Sequence, residues 1–95
     1  MSIVIVGGND CMVCRYKAVC SRYGCSAKVF TQMPNALKKQ IGSPDLLVVF
    51  TSTVSHKMAQ CARAEAERTG AKIVHCHSAS ISALGRVLDE QCSAC

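Results

Sequence analysis

The stretch Ser2-Ile3-Val4-Ile5-Val6-Gly7-Gly8-Asn9-Asp10-Cys11-Met12-Val13-Cys14-Arg15-Tyr16 decides the fold. Ile3 to Val6 are β-branched and apolar without a break, which predicts a strand covered on both faces. Two glycines then let the backbone turn sharply, because they tolerate angles other residues avoid. Asn9 and Asp10 are good N-cap residues, so a helix is expected from Cys11 to about Tyr23, closed by Gly24. Cys11 and Cys14 would share its first turn and one face. The amides and dipole of a helix N-terminus favour an anion, and a thiolate is one. Such a place suits a metal, a phosphate or a reactive thiol.

The rest of the chain repeats this alternation. Ala27–Thr31 reads as a second strand, and Lys28 marks it as an edge. Pro34 opens a short helix to about Gln40, followed by a turn at Ser43-Pro44. Asp45–Thr51, with Leu46-Leu47-Val48-Val49-Phe50 inside it, is the strongest strand and is expected to be central. A helix from about Ser55 to Arg68 ends at Thr69-Gly70, and Lys72–His75 forms the fourth strand. Ser78 to Ser82 supply caps for a last helix, through about Asp89 or Cys92, which Gly85 weakens by roughly 1 kcal/mol. Strands alternating with helices predict an α/β domain with a parallel sheet and right-handed crossovers. The expected strand order is flavodoxin-like, 2-1-3-4, in one domain over residues 1–91 with a Cys92–Cys95 tail.

In such sheets ligands gather beyond the C-terminal strand ends, at the switch point. That end would collect Gly7–Cys14, Thr31–Met33, Thr51–Lys57 and His75–Ser78. Cys11, Cys14, His56, Cys76 and His77 are therefore the candidate metal ligands. Gly8, Asn9, Asp10, Arg15, Ser55 and Ser78 are candidate pocket residues. Alternation along a strand sends Cys76 opposite His75 and His77, so only one subset can point into a shared site.

Composition narrows the classes. Ninety-five residues, 49% of them hydrophobic, suffice for one small domain with a single core, mostly aliphatic because there is no Trp. No apolar run approaches the roughly 18 residues that span a bilayer. Met1–Gly8 carries no basic segment and goes straight into a strand pattern, so a cytosolic protein is expected rather than an exported one. The net charge of +5 is scattered from Arg15 to Arg86, and aromatics make up only 4%, which argues against nucleic acid. Eight cysteines would suggest a disulfide framework in a secreted chain; without an export signal they suggest metal binding or redox chemistry. Cys20 and Cys61 lie inside helices and read as small buried hydrophobes. Tyr16 reads as packing on the sheet, and Met58, Leu84 and Leu88 as core. Exposed edges of a four-stranded sheet make a homodimer the expected state.

Gly7-Gly8-Asn9-Asp10, Arg15-Tyr16-Lys17, Ala27-Lys28-Val29-Phe30-Thr31-Gln32-Met33-Pro34, Ile41-Gly42-Ser43-Pro44-Asp45 and Thr53-Val54-Ser55-His56-Lys57-Met58 together resemble the uncharacterised bacterial family DUF2325. The resemblance covers nearly the whole chain. It implies a small Rossmann-like α/β domain and assigns no activity. His56 and His77 match positions of the family, whereas Cys11, Cys14 and Cys76 look like additions of this member or its subgroup.

Of the chemistries open to these residues, a zinc or iron–sulfur site leads, with a sensing or redox role rather than turnover and a regulatory or redox protein as its further partner. Cys11-x2-Cys14 can chelate one centre through two thiolates. Cys92-x2-Cys95 is a second such pair, but a last helix of twelve residues would carry it about 18 Å from the first pair. It reaches the site only if the helix stops early or across a dimer, and otherwise reads as a disordered tail with reactive thiols. One alternative is a thiol–disulfide protein, although no Trp accompanies the pair. Another is an anion- or small-molecule-binding module built on helix N-termini. No P-loop or complete dinucleotide fingerprint is present. The third strand ends without Asp, and Arg15 follows Cys11 too soon for a phosphatase loop. Ser55 and His56 are adjacent and do not face each other on a helix, which disfavours a hydrolase.

Overall fold

A computed structural model describes residues 2–31, 42, 44–78 and 80–92. Strands β1 (Ser2–Val6), β2 (Ser26–Phe30), β3 (Leu46–Phe50) and β4 (Lys72–Cys76) alternate with helices α1 (Val13–Arg22), α2 (His56–Thr69) and α3 (Ile81–Cys92), and a 3-10 turn, Asp10–Met12, precedes α1. All strand pairs are parallel, and the order is β2-β1-β3-β4. The expected order is therefore the observed one. The short helix expected between Pro34 and Gln40 lies outside the described residues.

The central strands are buried for the reason their composition gave. Ile3 to Val6 and Leu46 to Phe50 are each at most 1% exposed, because helices cover both faces. Residues alternate between two cores. Ile3, Ile5, Leu46, Val48, Phe50 and Cys76 pack with Tyr16 and Cys20 of α1 and with Leu84, Val87 and Leu88 of α3. Val4, Val6, Leu47 and Val49 pack on the other face with Met58, Ala62 and Ala66 of α2. β2 is only half-buried, as expected for an edge that carries Lys28.

Capping sets the helix limits. The Ser55 hydroxyl accepts the Met58 amide at 3.2 Å and starts α2. Gly70 ends it at φ 75°, the left-handed angle that glycine adopts at little cost. α1 begins two residues later than expected: the Asn9 side chain accepts the Cys11 amide at 2.9 Å and draws Asp10–Met12 into a 3-10 turn. Cys11 thus precedes α1 and Cys14 is its second residue. α1 and α3 run side by side in the same direction. The Tyr23 hydroxyl, just past α1, is bonded to the Asp89 carboxylate. Arg15, Ala18, Val19 and Arg22 along α1 and Ile81 at the start of α3 line a cleft of about 310 Å³.

Candidate functional site

The turn after β1 is held by contacts that no local pattern announces. Gly7 and Gly8 have φ of 97° and 93°. A Cβ on Gly8 would stand 2.8 Å from the Tyr16 ring, so the second glycine makes room for a buried aromatic. That ring lies 5.3 Å from Phe50, centroid to centroid. The Gly7 amide donates to the Phe30 carbonyl at 2.8 Å. The Gly8 amide donates to the Thr53 hydroxyl at 2.7 Å, and that hydroxyl donates to the Phe50 carbonyl at 3.3 Å. The Asn9 amide reaches the Tyr16 hydroxyl at 3.4 Å. Asp10 does not cap the turn; its carboxylate accepts from the Thr31 hydroxyl at the end of β2. The amides of Gly7, Gly8, Asn9 and Cys11, which a bound anion would use, are thus engaged within the chain. Replacing Thr53 by Val removes the acceptor for Gly8 and is expected to cost about 1 kcal/mol in chemical denaturation, with no change in secondary structure.

The described cysteines differ in burial, with Cys25 half-buried; Cys95 and the Cys92 side chain lie outside the described residues. Cys20 is fully buried. Cys76 is nearly so, and its thiol donates to the Ser78 carbonyl at 3.0 Å. Cys61 is half-buried beside the α2 core. Cys11 and Cys14 are both exposed and free, at the start of one helix. Cysteine is ordinarily among the most buried residue types, so this exposed pair is not accounted for by packing.

The remaining candidates share the strand-end rim without converging. His56 is exposed at the first turn of α2, with its Nε2 3.0 Å from the Gln60 amide nitrogen. α2 covers the face opposite α1, so His56 and Cys14 belong to opposite layers. The signal for this split was present in the topology: right-handed crossovers that leave the switch point in opposite directions land on opposite faces. His75, in register with Val49, is on the α2 face, and Cys76 is on the α1 face. His75, His77, Ser78, Ser80, Ser82 and Arg86 line most of a cleft of about 510 Å³ between β4 and α3. Ser78 bonds the Ser80 hydroxyl at 3.2 Å, and Ser80 in turn accepts the Ala83 amide at 3.1 Å. Arg15 is exposed and faces the α1–α3 cleft. Among the described residues, no three His, Cys, Asp or Glu side chains come together closely enough to hold one metal ion. The shell expected from Cys11, Cys14, His56, Cys76 and His77 is not gathered there.

Sequence reading named the exposed pair and missed Thr53 as the bridge between the β1 and β3 turns. Its only trace was a hydroxyl residue just past the third strand.

A four-stranded parallel sheet between two helix layers, with a glycine turn at the switch point, defines this chain as a small α/β domain of the doubly wound class. Residues 2–91 match the family described as an uncharacterized protein conserved in bacteria, DUF2325, and the chain belongs to that family. No curated protein and no solved structure matches it. Among the described residues, no helix is long and apolar enough to cross a membrane.

Proposed function

We propose that this chain is a thiolate-based metal or iron–sulfur protein of the cytosol, used for sensing or redox rather than turnover, with Cys11 and Cys14 as ligands. The observation that carries the reading is the exposure of both thiols at one helix start, while Cys20 and Cys76 are buried in the core. Two thiolates at this spacing chelate one centre. The engaged amides of the glycine turn favour this reading over an anion site at the same place.

Protein purified without oxygen is expected to carry about one zinc per chain, colourless, or iron with visible charge-transfer absorption. Cys11→Ser with Cys14→Ser is expected to abolish either. Both side chains are exposed, so the circular dichroism spectrum should not change. Absence of iron and zinc after loading in vitro would refute the metal reading. A reversible Cys11–Cys14 disulfide would then make the chain a dithiol redox protein.

A further inference from the structure

We infer that the cleft between β4 and α3 binds the phosphate group of a small phosphorylated molecule. At about 510 Å³ it falls within the range of about 300–1,000 Å³ typical of small-molecule pockets. β4 is an edge strand paired with β3, and the cleft lies at its C-terminal end, where open parallel sheets take their ligands. Its lining is one-sided in charge. Arg86 brings a fixed cation, His75 and His77 bring two imidazoles, and no Asp or Glu is among the residues that form it. Arg86 makes no hydrogen bond or ion pair with the described residues, so its N–H donors are uncommitted. Ser82 stands one helical turn before Arg86 on the same face of α3, and its hydroxyl is uncommitted too. Ser78 and Ser80 add two more hydroxyls, bonded to each other at 3.2 Å. The Ala83 amide is taken by Ser80, so side chains rather than helix amides supply the donors.

A phosphate fits this set better than a cation or a neutral solute. A cation would meet Arg86 with no carboxylate to hold it. A neutral solute would leave the guanidinium without an anionic partner. A phosphate monoester offers a strong negative charge spread over several acceptor oxygens. The planar guanidinium takes two of these bidentately, and the hydroxyls serve the rest. Cys76, Ala83 and Val87, packed in the core beneath, give the organic body an apolar floor. Neighbouring clefts lack this combination. The one on α2 is lined by both Arg63 and Glu67, so its charge is balanced. The one between α1 and α3 sets Arg15 and Arg22 around Ala18, Val19 and Ile81, with no hydroxyl. The phosphate cleft shares no residue with Cys11 and Cys14, so it stands independently of the metal reading.

The test is titration calorimetry of the full chain with inorganic phosphate, ribose 5-phosphate and ribose. Both phosphate-bearing probes are expected to bind saturably, the ester more tightly, and ribose not at all. Arg86→Gln is expected to weaken the ester about tenfold or more, the worth of a charge-assisted hydrogen bond. Ser82→Ala is expected to weaken it less. Both side chains are exposed, so circular dichroism should show either variant folded. Arg63→Gln removes the same charge from α2 and is expected to leave the affinity unchanged. With the ester added, amide NMR shifts are expected to move at His77, Ser78, Ser82 and Arg86. No saturable binding of either phosphate-bearing probe, or equal losses in Arg86→Gln and Arg63→Gln, overturns the site. So do shifts confined to residues outside the cleft. Equal affinity for inorganic phosphate and the ester overturns the organic ligand and leaves free phosphate as the occupant.

Discussion

Gly8→Ala is expected to destabilise the domain by about 2–4 kcal/mol, seen as a fall of roughly 10–20 °C in thermal midpoint. Two costs combine. A φ of 93° is strained for any residue with a Cβ. The added atom would also meet the Tyr16 ring at 2.8 Å, and that ring is fully buried against Phe50. Gly24→Ala separates the two, because Gly24 has φ 71° with nothing within 4 Å of its would-be Cβ. That variant should pay the conformational cost alone, about 1 kcal/mol. Equal losses at the two positions would mean that close approach to Tyr16 contributes nothing.

Phe50→Ala is expected to cost about 3–5 kcal/mol, the range for emptying a fully buried aromatic site. Phe50 ends the central strand and packs on Tyr16. Its carbonyl also accepts the Thr53 hydroxyl and, at 3.0 Å, the Val54 amide. Removing the ring leaves those backbone bonds in place but takes away the surface on which Tyr16 rests. Urea denaturation should show the loss, and amide exchange at Gly8 and Asn9 should quicken beyond the global effect. Phe50→Leu fills most of the volume and is expected to cost under about 1.5 kcal/mol.

How far the sequence could be read depended on where the partners of each residue lay. β1 and β3 were legible because unbroken β-branched and apolar runs answer to burial on both faces, and β2 because Lys28 needs an edge. The start of α1 was misplaced because Asn9 and Asp10 look alike as caps. Only the tertiary bond from Thr31 tells them apart, and Thr31 is 21 residues from Asp10. Cys11 and Cys14 were legible as a pair by spacing alone, but their exposure was not, since Cys20 on the same helix is buried. Joining His56 to them treated the strand ends as one pocket, whereas the sheet stands between α1 and α2 as a wall.

The hydroxyl of Thr53 bridges the Gly8 amide and the Phe50 carbonyl, and so rivets the turn that leads into the exposed thiols to a central strand of the sheet. Fixing a residue's backbone costs about 1–2 kcal/mol, and for this turn folding has already met that cost. A metal taken up by Cys11 and Cys14, as proposed, would therefore meet a stiff claw rather than a floppy one. A change in the geometry of that centre would be passed on as a push against the strand instead of being lost in slack.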